Sequence, residues 1–138
     1  QSLILEKFSS SPVCAVKMTS VLDAGPIYAK KNVSLDGSLT DIFERINIVT
    51  TQLILKVIAE RPKPTNQEGE VHVFRRLTEN DNAIPSGLCL RDIFDRIRML
   101  GEPSYPNAFI VVNDIRIDFF SASLREDEIE SYCRIRKC

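Results

Sequence analysis

The chain has 138 residues, 43% of them apolar, with 18 Lys and Arg against 19 Asp and Glu, which sets a formal net charge of −1. That length fits one domain, or a small domain attached to part of another, and the balanced charge argues against a sequence-blind nucleic-acid binder held by a basic face. No apolar run approaches the roughly 20 residues needed to span a bilayer, so no membrane partner is expected.

Taken in chain order, Gln1-Ser2-Leu3-Ile4-Leu5 opens directly on an apolar segment without a Met, which reads as a chain that continues upstream. Leu3, Ile4 and Phe8 have helical spacing over residues 2 to 8, and Ser9-Ser10-Ser11-Pro12 then breaks the pattern. Two strand candidates follow, Val13 to Met18 and Ile27 to Val33, joined by Val21-Leu22-Asp23-Ala24-Gly25-Pro26. Ser38 with Asp41 three residues on is a weaker form of the capping box and predicts a helix start. From Leu39 through Ile42, Phe43, Ile46, Val49, Leu53, Ile54, Val57 and Ile58, apolar residues recur at three- and four-residue steps and predict one long amphipathic helix.

Arg61-Pro62-Lys63-Pro64-Thr65-Asn66-Gln67-Glu68-Gly69 has two prolines and no apolar residue, and reads as a linker. Val71 to Phe74 reads as a short strand, and Arg75-Arg76 with Glu79 to Asn82 as a charged loop. A second helix is expected from about Cys89 to Leu100, stopped by Gly101 and Pro103. Its Arg91, Arg96 and Arg98 read as a solvated face pairing with Asp92 and Asp95. The runs Ala108 to Val112 and Ile115 to Phe119 flank Asn113-Asp114, a hairpin turn of residues that tolerate positive φ, and Ile129 to Ile135 alternates as a third strand. Four cysteines, Cys14, Cys89, Cys133 and Cys138, lack the paired close spacing of tetrahedral zinc sites. No metal site is expected, and without a signal-peptide pattern they read as reduced thiols of a cytoplasmic protein.

Asp23 is the chain's most informative acid. A carboxylate on a tight strand-to-strand turn can act as a general base or orient one, although Asp and Gly also populate turns for conformational reasons alone. Gly25, without a Cβ, permits a positive φ or a close backbone approach.

The segments "VCAVKMTSVLDAGPIYAKKNVSLDGSLTDIFERI", the proline linker, "FRRLTEND" and "LRDIFDRIRMLGEPSYPNAFIVVNDIRIDFFSAS" together resemble the back half of the folate-dependent formyltransferases, whose members formylate methionyl-tRNA or the amines of sugars. The likeness runs from Gln1 to about Leu124. It implies an α/β fragment plus an α+β part: the end of a Rossmann-like domain (residues 1–61, two strands and a long helix), a linker (62–70), and a small helix-plus-antiparallel-sheet, barrel-like C-terminal domain (71–138). It also implies N10-formyltetrahydrofolate as co-substrate and an amine acceptor.

The family's catalytic set is an Asn, a His two residues later, and an Asp in a Leu-Asp-X-Gly turn. By this resemblance Asp23 is the catalytic Asp, and Leu22, Asp23 and Gly25 belong to the folate side. No Asn-X-His element is present: the single histidine, His72, has Glu70 two places before it and reads as structural or exposed. The segment alone is therefore expected to be inactive, with most of the folate site outside it. Arg75 and Arg76 match a basic pair of the sugar-type members and are candidate acceptor contacts, though Thr78 stands where those members have a proline. Tyr105, in "YPNAF" with Pro106 and Phe109, is a third candidate against a core-packing alternative. Near-neutral charge favours a nucleotide-linked amino sugar over tRNA as acceptor, and the oligomeric state is open.

Overall fold

The structure is a computed structural model that describes all 138 residues. In chain order the elements are α1 (Ser2–Leu5), β1 (Ser10–Val16), β2 (Ile27–Ser34), α2 (Leu39–Glu60), a 3-10 turn (Glu79–Asn82), α3 (Leu90–Arg98), β3 (Ala108–Val112), β4 (Ile115–Leu124) and β5 (Ile129–Lys137). They form two compact units that interleave along the sequence. One comprises Ser9–Asp36 and Asp41–Val73; the other comprises Gln1–Phe8, Gly37–Thr40 and Phe74–Cys138.

In the first unit, β1 and β2 pair antiparallel, with Ser10 opposite Ser34, Cys14 opposite Lys30 and an irregularity between Ala15 and Val16. Alternation sends Val13, Ala15, Ala29 and Val33 to one face, where they meet Ile46, Val49 and Leu53 of α2. The three- and four-residue steps of the helix bring those side chains onto one stripe. Arg45 ties the helix to the end of β2, donating through Nε to the Ser34 carbonyl at 3.1 Å and through Nη2 to that of Asp36. A second apolar stripe of α2, carrying Phe43, Ile48, Ile54, Leu55 and Ile58, faces solvent.

The stretch expected to be a free linker is partly built into this unit. Thr65 and Ile27 exchange both backbone bonds, at 2.7 and 2.9 Å, so the residues after Pro64 add a one-residue antiparallel bridge to the start of β2. A strand at Val71 to Phe74 does not form: Val71 and Val73 are exposed and the segment belongs to neither sheet. Alternating side chains make a sheet only where a backbone ladder forms, and the ladders of the two sheets do not include this segment.

In the second unit, β3, β4 and β5 lie side by side in that order, all antiparallel, with β3 and β5 as edges. Asn113, in the left-handed region at φ +56°, makes the expected turn between β3 and β4. The sheet bulges between Phe120 and Ser123, where Ser121 takes φ +55°. Ile97, Met99, Leu100, Ala108 and Phe109 are buried at the end of α3 and the start of β3. The expected solvated arginine face of α3 is corrected at Arg98, which is buried: its Nε donates to Asp95 Oδ1 at 2.6 Å and its Nη1 to the Gly37 carbonyl at 2.8 Å. Lys7 bonds Asp92 and, at 3.3 Å, Asp95, which ties the short α1 segment to α3. The first helix is a single turn, shorter than the span of residues 2 to 8.

Candidate functional site

The turn between β1 and β2 is held by its main chain. Lys17 N–H donates to the Pro26 carbonyl at 2.8 Å, which carries the hairpin ladder one step beyond β1, and Thr19 Oγ1 donates to the Val21 carbonyl at 2.9 Å. At the tip Asp23 takes φ +54°, a left-handed conformation that Asp tolerates better than most side chains. Gly25 is buried against β1, where a Cβ would sit 1.7 Å from the Lys17 carbonyl oxygen. No L side chain fits that gap. Glycine is required here by close backbone approach.

The turn is also held from outside. Gln67 Nε2 donates to the Asp23 carbonyl at 2.6 Å and to the Gly25 carbonyl at 2.8 Å, spanning the tip with both of its N–H bonds. Leu22, 88% exposed, and Asp23 project to solvent. The bonds that fix the turn are all accepted by main-chain carbonyls, so the Asp23 carboxylate takes no part in holding it.

Leu22, Asp23 and Gly25 thus share one turn of the first unit. The acceptor candidates belong to the second. Arg75 lies against Asp81, donating from Nη1 to Oδ2 at 2.9 Å and from Nη2 to Oδ1. The same Asp81 carboxylate accepts from the Thr78 N–H at 2.7 Å and the Thr78 hydroxyl at 2.9 Å, capping the 3-10 turn. The Arg75 hydrogen bond and those of Thr78 hold Asp81 well below the usual carboxylate range. Arg76 is exposed, and Tyr105 is exposed on the turn before β3, where its N–H bonds the Glu102 carbonyl at 3.0 Å. His72 is exposed.

One polar constellation was not legible in the sequence. Asp118, buried on β4, accepts from Arg116 Nε at 2.8 Å and from Arg136 Nε at 2.9 Å, and Arg116 also reaches Glu79 at 3.1 Å. The Arg116 guanidinium stacks on the Phe109 ring, 3.7 Å from its centroid. Burial pushes the Asp118 carboxyl up, but the bonds from Arg116 and Arg136 outweigh it and the net shift is downward. The alternation of β4 could have marked Arg116 and Asp118 as sharing a face. Their pairing with Arg136 needs the register of β5.

A family model described as "Methionyl-tRNA formyltransferase, C-terminal domain" matches residues 79–136. The methionyl-tRNA formyltransferase of Gluconobacter oxydans (strain 621H) is 27% identical over 126 residues, which cover 89% of this chain and 41% of that protein. The chain thus spans about two fifths of the length of that curated relative. Among solved structures, methionyl-tRNA formyltransferase from Clostridium thermocellum is 32% identical with a TM-score of 0.91, covering 99% of this chain and 61% of that one. HypX from Aquifex aeolicus in complex with tetrahydrofolic acid shares the fold, with a TM-score of 0.67 at 18% identity over 88% of this chain and 22% of that one.

Proposed function

We propose that the chain belongs to the formyltransferase family and supplies the Asp23 turn and the acceptor-side part of an enzyme that moves a formyl group from N10-formyltetrahydrofolate to a primary amine. The observation that carries this reading is the 0.91 TM-score over 99% of the chain at 32% identity. On it we keep residues 1–61 as the end of a Rossmann-like catalytic domain, 62–70 as the connection and 71–138 as the C-terminal domain.

The acceptor we propose is methionyl-tRNA. Charge balance pointed to a nucleotide-linked amino sugar, but the matched family description and the named relatives above favour tRNA. Arg134, Arg136 and Lys137 are exposed along β5, with Arg136 Nε bonded to Asp118. Arg76 and Tyr105 are the exposed candidates for further acceptor contacts, and Arg75 would have to leave Asp81 to reach a phosphate.

In the reaction the acceptor ammonium first loses a proton. Its nitrogen then attacks the formyl carbon, and the tetrahedral oxyanion collapses with cleavage of the bond to N10, which gains a proton as it leaves. On this reading Asp23 accepts or relays the proton from the amine. The resemblance assigns oxyanion stabilisation to an Asn-X-His element that this sequence does not contain. Groups that act as a unit lose most of their effect when one is missing, so this segment alone should give no turnover above background.

The deciding assay offers initiator methionyl-tRNA and an amino-sugar nucleotide, in turn, to the formyltransferase polypeptide that carries this chain, with N10-formyltetrahydrofolate as donor. Formylation of the tRNA is expected. With about three phosphate contacts, its binding should weaken about 20- to 40-fold between 50 and 200 mM salt. Turnover of the sugar nucleotide alone would replace this acceptor and leave the family standing.

A further inference from the structure

We propose that Gln67 is a positioning residue for the Asp23 turn, a role that rests on the reading of Asp23 as the proton acceptor. Gln67 lies in a stretch whose composition reads as a connector, yet the chain there is anchored on both sides of its task. Two residues earlier Thr65 is locked to Ile27 by a reciprocal backbone pair at 2.7 and 2.9 Å, and Ile27 follows Gly25 and Pro26 directly. The backbone that presents Gln67 and the backbone it grips are therefore fixed to each other within a few residues.

The chemistry of the grip is specific to an amide. Both atoms facing Gln67 Nε2 are carbonyl oxygens, so the group between them must donate twice and accept nothing. A carboxylate of the same shape would set a negative oxygen against two carbonyls. An alanine would leave the space empty and both carbonyls to water. The grip matters because of what the turn lacks. Asp23 stands in the left-handed region, and neither Leu22 nor Asp23 is buried, so side-chain packing does not hold the tip in place. Gly25 fixes the base of the turn against the Lys17 carbonyl, and Gln67 joins that base to the tip by bonding the carbonyls on either side of Ala24. The Asp23 carboxylate takes no part, which leaves it available while its main chain is immobilised. Positioning of this kind acts on turnover more than on binding, since a small displacement of a reacting group costs orders of magnitude in rate.

The experiment compares Gln67→Glu and Gln67→Ala with the parent by two readouts. On the 138-residue chain, backbone 15N relaxation should show order parameters at Leu22 to Ala24 dropping from about 0.85 to below about 0.6 in both variants, with β1 and β2 unchanged. In the formyltransferase polypeptide that carries the chain, kcat should fall roughly 10- to 100-fold with the KM for the acceptor within about twofold. A space-filling role would tolerate Gln67→Glu, so a Glu variant with normal order parameters and normal kcat overturns the proposal. Asp23→Asn runs alongside. If it abolishes turnover while Gln67→Glu does not reduce it, the positioning role is wrong and the reading of Asp23 stands. If Asp23→Asn retains turnover, the underlying reading fails and the positioning role falls with it.

Discussion

Two carboxylates, Asp23 and Asp118, sit in hairpin structures of the same chain and are held in opposite ways. Around Asp23 the holding groups are the Lys17 N–H, the Gly25 backbone and the Gln67 amide, and all of them act on the main chain. Around Asp118 they are the guanidinia of Arg116 and Arg136, and they act on the carboxylate itself. A carboxylate that accepts from two guanidinia is committed to the sheet and cannot take a proton from a substrate without breaking it. A carboxylate whose loop is fixed through carbonyls keeps its charge for use. The contrast separates a carboxylate held by its main chain from one bound through its own oxygens.

The strongest way to break the contrast is Asp23→Asn in the polypeptide of the formylation assay proposed above. The turn should survive, since Asn tolerates the same left-handed backbone, while turnover falls about 10²- to 10⁴-fold, the usual range for removing a general acid or base. Circular dichroism and the same formylation assay check both halves. Retention of more than about half the activity would reduce Asp23 to a turn residue.

Next comes Gly25→Ala, which sets a methyl group 1.7 Å from the Lys17 carbonyl oxygen. That contact is backbone and cannot swing aside, so the turn must open. A destabilisation of about 3 kcal/mol is expected, at the upper end of what overpacking costs, measured by urea unfolding of the chain. A change below about 1 kcal/mol would mean that the β1 end yields freely and that the tip is not fixed from its base.

The smallest of the three effects is Asp118→Asn, which should cost about 2 kcal/mol at neutral pH, because two guanidinia lose their shared counter-charge and one of them is largely solvated. The carboxyl is shifted downward in the folded chain, so its contribution is complete above the unfolded value near 4 and disappears as pH falls through the lower folded value. Parent and variant should therefore differ most at pH 7 and converge below about pH 4 in urea titrations. A gap that stays constant over that range would show that the ion pairs are not what Asp118 contributes.

Periodic side chains made much of this fold readable. The β1–β2 hairpin, the 22-residue α2 and the turn at Asn113 and Asp114 all follow from alternation, helical spacing and residues that tolerate positive φ. Interactions without a side-chain period were not readable. The Thr65–Ile27 bridge is made by backbone groups that every residue carries, so a proline-rich, apolar-free stretch gave no hint of it. Gln67 was invisible for the same reason, since its partners are carbonyls. Val71 to Phe74 failed in the other direction, with a strand-like pattern that joins neither sheet. Arg98 and Arg116 were misread or passed over because composition counts a guanidinium as surface, whereas the structure supplies Asp95, the Gly37 carbonyl and the Phe109 ring to receive them. At the candidate site the turn that carries Asp23 was legible; the Gln67 and Lys17 bonds that hold its main chain were not.

The outward stripe of α2 sets how this chain behaves as a material. Phe43, Ile48, Ile54, Leu55 and Ile58 lie along a helix about 33 Å long with few charges between them. Exposed apolar surface of that extent drives molecules together as concentration rises, and a net charge of −1 supplies almost no long-range repulsion to oppose it. Added salt strengthens the attraction and screens what repulsion remains. The outward face of α2 thus adds to the chain's tendency to associate, and dilute, low-salt buffers well above its pI of about 5.9 are the conditions that oppose it.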